Sequence, residues 1–435
     1  MIDYELSRTG RRSEYILTRV NVRHSLRKHI ISALAILLSV CGVVDVQPAS
    51  AASSFKDVPA DHWARSAIES AVHKGYFKGY SDGTFRPNAN ITRAEFAALM
   101  ARVSNNEMEG GQGTFSDIQG HWAQSAIAQA IGMGFISAQD YPNGFKPGTA
   151  LTRREMAKWM ASGLAAKHED FKQAVSDTKD TLVPVAEYYK GGLNKADYPY
   201  VAVALGTGLM SGYPDGSFGP GKTTTRAEVA VILARYVNVQ DKDPEEFQDL
   251  REMREVGLTG TNLTTATPYR FRKFSGTDKE TSFDRIKDKP YKMMYNRGMM
   301  TIHRMIVVDA DTSKNPKNLY GKMFVDEKFN WPIFDDAYNV FLETTVVPND
   351  NTSLSNAAFP TSTLYNFTQG RGFESRAISK YGLTVLPRVD DFLTTGFFKK
   401  DIPRRFWMHR YLGDSGGEMG SGNTLVMFGP PYKPE

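Results

Sequence analysis

Thr-Arg-x-Glu followed by an apolar run is written three times: Thr92-Arg93-Ala94-Glu95, Thr152-Arg153-Arg154-Glu155 and Thr225-Arg226-Ala227-Glu228. Recurrence of one supersecondary unit constrains the fold more than composition does. A unit that cannot bury its apolar face alone must stack on its copies. The triplet belongs to a longer repeat. Unit one opens Phe55-Lys56-Asp57, then His62-Trp63-Ala64, and passes through Tyr80, Asp82-Gly83, Phe85 and Pro87. Unit two opens Phe115-Ser116-Asp117, then His121-Trp122-Ala123, and continues to Phe145 and Pro147. Unit three is looser: Ser176-Asp177 marks its start, and register returns at Gly212-Tyr213, Asp215-Gly216, Phe218 and Pro220.

Each unit reads as helix, loop, helix. The first helix carries apolar residues at i, i+3, i+4 spacing and stops at a glycine such as Gly75. Asp-Gly and Pro punctuate the loop. Thr-x-x-Glu before an apolar helix is a capping box, in which each side chain satisfies the other residue's free N–H. That assigns Thr92, Glu95, Thr152, Glu155, Thr225 and Glu228 to helix starts. Arg93, Arg153 and Arg226 then lie in the first turn, where the helix dipole disfavours a cation. A guanidinium fork beside free N–H groups makes an anion site. The competing reading is an ion pair with a neighbouring unit, and three matched copies favour the anion.

The ordered F-x-D, H-W-A, D-G-x-F-x-P and T-R-A-E pieces resemble S-layer homology repeats over about residues 55 to 238. The resemblance implies an all-α, pseudo-threefold bundle of three helix-loop-helix repeats, at 55–103, 114–165 and 171–238. It also implies grooves that bind a secondary cell-wall polysaccharide linked to peptidoglycan, whose terminal sugar carries a pyruvate ketal. Carried onto this chain, Arg93, Arg153 and Arg226 would hold the ketal carboxylate. Trp63 and Trp122 would face sugar rings, and Gly83 and Gly216 would admit backbone close to the ligand. An Arg fork matches a carboxylate in a way Lys does not, and Trp suits the C–H face of a saccharide; core packing at a helix start is the other reading of the two tryptophans. Unit three has Lys195-Ala196 where the others have His-Trp, with Tyr198 or Tyr200 as a substitute, and unit two has Pro142-Asn143-Gly144-Phe145 for Asp-Gly-x-Phe. Three similar scaffolds with unequal grooves are therefore expected.

The N-terminus reads as an export signal over 1–51 with a long lead-in. Arg23, Arg27 and Lys28 precede an apolar run from Ile30 to Val44, and Ala49-Ser50-Ala51 offers small residues for cleavage. The run is shorter than the roughly 20 residues of a spanning helix, so no span is expected after cleavage. The only cysteine, Cys41, lies in that signal, which leaves no thiol for disulfide, metal or nucleophile. A net charge of +5 is too mild to argue for nucleic acid. Neither metal nor cofactor is expected.

Residues 239–246 are polar and acidic and read as a linker. Short apolar or β-branched runs at Met305 to Val308, Val340 to Val347, Leu383 to Leu386 and Thr424 to Phe428 make 247–435 a β-rich or α+β domain. Gly413-Asp414-Ser415-Gly416-Gly417 matches a serine-nucleophile signature, which needs a His base and an orienting acid. Only His303 and His409 are at hand, and neither has the expected context. Asp309-Ala310-Asp311 opens like a calcium loop, with Lys314 where Gly is required. Asp335-Asp336 and Asp390-Asp391 could flank a glycosidic bond. Tyr269 to Phe274 alternates aromatic and basic residues, as an edge strand does. The expectation is a secreted surface protein on a Gram-positive type wall, anchored by its N-terminal half. The C-terminal half is either a displayed structural module, self-assembly included, or a wall-associated hydrolase.

Overall fold

Local sequence dictates where the helices start. In the computed structural model the N-terminal half holds α1 (Arg65–His73), α2 (Arg93–Val103), α3 (Gln124–Gly132), α4 (Arg153–Lys167), α5 (Glu169–Asp177), α6 (Ala186–Lys190), α7 (Tyr198–Gly206) and α8 (Arg226–Val239). Thr92, Thr152 and Thr225 cap α2, α4 and α8, each in a complete capping box with the Glu three residues on. Such a cap is worth about 1 kcal/mol. The structure describes residues 55–106, 115–273, 280–309, 318–324, 338–349, 375–387, 396–412, 416–419 and 426–430, all within the unit Ala52–Glu435. The export signal expected over 1–51 lies outside them. No described helix is long and apolar enough to cross a membrane.

The loops close the three units on one another. Ile91 N–H donates to Thr224 O at 2.9 Å, Thr224 N–H to Leu151 O at 3.2 Å, and Leu151 N–H to Ile91 O at 2.8 Å. All three residues are fully buried, so the ring satisfies groups that burial would strand. The first N–H of each capped helix, an orphan within its own helix, goes around the same cycle. Arg93 donates to Thr149 O, Arg153 to Lys222 O and Arg226 to Ala89 O, each at 2.9 Å. One apolar cluster runs through all three units, from Phe85 and Phe96 through Phe145 and Trp159 to Phe218 and Tyr236.

The stretch read as a linker is folded in. Asp243 caps a short turn at Pro244–Glu246, and α9 (Gln248–Thr259) follows, packed on α5 and α7. Arg254 of α9 binds Asp177 at 2.9 Å and also pairs with Glu245. The helices approach closely because glycines sit at the contact. A Cβ on Gly206 would lie 2.7 Å from Leu250 Cα, and one on Gly257 2.0 Å from Asp177 O. Flanked by α4 and α9, α7 is buried on nearly every side, at Val201, Ala202, Val203 and Ala204.

Beyond α10 (Leu263–Ala266) the chain turns to antiparallel sheet. The strands are β1 (Arg270–Phe271), β2 (Pro290–Lys292), β3 (Gly298–Val308), β4 (Tyr338–Pro348), β5 (Arg404–Leu412), β6 (Gly417–Met419) and β7 (Val426–Gly429), with α11 (Gly321–Phe324) and α12 (Ser375–Tyr381) between them. One sheet has order β2-β3-β4-β5 and the other β1-β7-β6. Arg270–Phe271 thus forms an edge strand. The larger sheet is buried on both faces. Val340, Leu342, Phe406 and Met408 join one cluster. Phe341, Ile306 and Trp407 join another that also contains Leu182 and Ala202 of unit three. The protein is helical through the repeats and α+β beyond them.

Candidate functional site

Each arginine of the triplet reaches into the loop of the next unit around the ring. Arg226 Nε donates to Phe85 O at 2.9 Å and Nη2 to Lys78 O at 3.1 Å. Its guanidinium stands 5.1 Å over the Tyr80 ring. Arg153 repeats this on unit three, with Phe218 O at 2.8 Å, Ser211 O at 2.6 Å and the Tyr213 ring at 4.7 Å. Arg93 reaches Phe145 O at 2.8 Å and stands 4.9 Å over Tyr141, and it adds a carboxylate, Glu155, at 2.6 Å. Arg153 and Arg226 are 4% and 6% exposed, and burial pushes both guanidinium groups below their ordinary value. The arginines therefore hold unit to unit. In Arg153 and Arg226 these carbonyl contacts occupy two of five donors.

The loops that receive them are held by carboxylates. Asp57 accepts from Phe85 N at 2.8 Å and Arg86 N at 2.7 Å, and Asp117 from Phe145 N at 3.0 Å and Lys146 N at 2.6 Å. In unit three the same work falls to Glu187, on Phe218 N at 2.9 Å and Gly219 N at 2.8 Å. Asp177, which marks the start of unit three in sequence, instead pairs with Arg254.

Trp63 and Trp122 are not core residues. They are 66% and 68% exposed. Each stands beside the preceding histidine, with ring centroids 5.8 Å apart for His62 and Trp63 and 5.4 Å for His121 and Trp122. His62 Nδ1 accepts from Ala64 N and His121 Nδ1 from Ala123 N, both at 3.2 Å. This fixes the histidine against the helix start and leaves the indole outside. Unit three has no counterpart, and Tyr198 packs on Tyr188 at 4.9 Å. Gly83 (φ +82) and Gly216 (φ +83) occupy the left-handed position of their turns, which Gly adopts without strain.

A scan of family models matches the S-layer homology domain at residues 54–97, 114–157 and 194–230. The chain carries three S-layer homology domains. Among curated relatives, the S-layer protein sap of Bacillus anthracis is 34% identical over 48% of this chain and 24% of its own length. A cellulosome-anchoring protein of Acetivibrio thermocellus is 39% identical over 23% of this chain and 24% of its own. Exoglucanase XynX of Acetivibrio thermocellus is 29% identical over 41% of this chain and 16% of its own. The chain thus spans about a quarter or less of these relatives.

Two elements of the S-layer homology domains escaped the sequence reading. The tyrosine under each guanidinium had a usable signal: Tyr80, Tyr141 and Tyr213 each precede the turn glycine by three residues. Glu187 had none, since the added sequence of the third domain shifts it out of register. Of the C-terminal candidates, Ser415, Asp311, Asp335, Asp336, Asp390 and Asp391 lie outside the described residues. His409 is buried against Asn339 Oδ1 at 2.9 Å, and burial lowers it to about 4. His303 bridges Asp288 at 2.6 Å and Thr345 Oγ1 at 2.8 Å.

A charge cluster lies at the junction of unit three and the sheet. Glu343 is buried between Arg304 at 2.5 Å and Arg405 at 2.9 Å, with Tyr189 donating to it at 3.2 Å. Burial opposes its charge, but the two guanidinium groups hold the carboxyl below its ordinary value.

Proposed function

We propose that this is a secreted bacterial surface protein, anchored non-covalently on the polysaccharide of a Gram-positive type cell wall through its S-layer homology domains. The observation that carries the reading is the pair of outward indoles, Trp63 and Trp122, each just before the first helix of its unit. Large aromatic faces held in solvent cost free energy unless something covers them. Stacked C–H faces of sugar rings suit them, and the S-layer and cellulosome-anchoring relatives fit the same role. The closed hydrogen-bonded cycle of loops supports a pseudo-threefold bundle with one groove per junction. In this reading the ligand's anionic group, a pyruvate ketal, meets the donors that the carbonyls leave over, on Arg226 beside the first domain and Arg153 beside the third. Arg93 already faces Glu155 and serves that groove least. Several grooves on one polymer add avidity.

The test is sedimentation of the chain from Ala52 with purified Gram-positive walls, before and after acid removal of the polysaccharide. Trp63→Ala with Trp122→Ala is the informative variant, because exposed side chains leave the fold intact. Pelleting that needs both polymer and indoles supports the anchor. Pelleting indifferent to both would refute it.

A further inference from the structure

Gly216, which ends the turn Tyr213-Pro214-Asp215-Gly216 of the third domain, is buried against the C-terminal half. A Cβ on Gly216 would lie 2.9 Å from Lys380 Cε and 3.2 Å from Tyr381 Cζ, both on α12. The corresponding atom on Gly83 would meet Lys56, and on Gly144 Asp117, residues of their own domains. Past α12, a Cβ on Gly382 would lie 2.7 Å from Lys190 Cγ on α6, so the seating extends along both helices.

Between the turn and α12 is a cavity of about 890 Å³, within the range of about 300–1,000 Å³ in which small ligands are held. The third domain contributes Ser211 and Tyr213 to its wall, and the C-terminal half contributes Lys322, Arg376, Lys380 and Tyr381. Arg153 adjoins this wall, bonded to Ser211 O and standing over Tyr213. Among the described residues no carboxylate lines the cavity. Asp215 belongs to an adjoining depression that Arg376 and Lys380 also line, with Lys190 and Ser379. Three cations and two tyrosine rings, with the carboxylate of Asp215 adjoining, form a lining complementary to a sugar that bears a carboxylate.

We infer that α12 completes the third groove: the C-terminal half supplies Lys322, Arg376 and Lys380 to a composite site for a carboxylate-bearing saccharide. This rests on the polysaccharide reading above and goes beyond it. The first two domains read the polymer with their own indoles, while the third lacks an indole and borrows the cations of the module it anchors.

The experiment is calorimetric titration of the chain from Ala52 with a methyl glycoside bearing a pyruvate ketal, and with the same glycoside after ketal removal. Three proteins are compared: wild type, Arg376→Gln with Lys380→Gln, and Trp63→Ala with Trp122→Ala. The expected result is that the Gln pair loses one class of ketal-dependent site, or weakens it by about tenfold or more, while the Trp pair retains that class. Ketal binding unchanged in the Gln pair but abolished in the Trp pair would overturn the composite site and leave the anchor standing. Wild type that binds neither glycoside nor polysaccharide would overturn both. Equal binding of the two glycosides at this site would also overturn the inference, since the cations would then read no carboxylate. The exposed and half-buried positions of Arg376 and Lys380 keep the Gln pair folded, which matching thermal melts verify.

Discussion

The indole N–H of Trp407 on β5 donates to the hydroxyl of Tyr189 on α6 at 3.2 Å, joining positions 218 residues apart. Around this bond lie Glu343, Arg304 and Arg405, and Arg304 also donates to Tyr188 at 2.8 Å. Unit three and the sheet therefore share a core and a charge cluster. Unfolding of the two is expected to be a single transition, with indole fluorescence and far-ultraviolet dichroism coincident in urea. Glu343→Gln leaves two guanidinium groups without their buried counter-charge and should cost about 3–5 kcal/mol. Two separated transitions, or a loss within about 0.5 kcal/mol, would show that the halves stand apart.

Thr224 occupies the ring position held by Ile91 and Leu151 in the other two domains. Its hydroxyl is buried with no partner in the structure. Thr224→Val keeps the shape and removes the stranded group, so stability should rise by about 1 kcal/mol. Chemical denaturation midpoints decide it. A loss of stability would place an acceptor beside that hydroxyl.

Arg226→Ala strands two carbonyls, Phe85 O and Lys78 O, and opens the first domain's junction to the third. A cost of about 2–5 kcal/mol follows from the desolvation of both groups, whereas Trp63→Ala should stay within about 0.5 kcal/mol. Thermal melts of the two variants separate clamp from surface. If Arg226→Ala melts like wild type, the arginine is a ligand residue alone.

Glu252 is fully buried beside Asn262 and Asn318, and burial pushes its carboxyl up to about 7 from 4.5. Between those pH values the folded chain keeps a proton that the unfolded chain releases. Stability from this group therefore falls as pH rises through the window, by on the order of 3 kcal/mol, and is level above it. Glu252→Gln should remove that slope. Identical pH profiles for wild type and variant would assign the slope elsewhere.

What could be read from the chain alone was local. A capping box acts across three residues and an amphipathic turn across four. Thr92, Thr152 and Thr225, the three helices they start and the helix-loop-helix units were thus written in the sequence, as was the recurrence that ties them to the S-layer homology domain. Exposure of Trp63 and Trp122 was left open, since a tryptophan at a helix start packs or projects according to its neighbours. Tertiary structure decided the partners. Arg226 finds its carbonyl 141 residues away at Phe85, and Glu187 takes the place of an Asp because an insertion moved the backbone. The polar stretch 239–246 is folded because Arg254, past its end, bridges Glu245 and Asp177. Burial of a charge or a carbonyl is settled by chain segments far away in sequence. Spacing along the sequence therefore revealed that an arginine stands at each helix start, and only the closed ring determined what it touches.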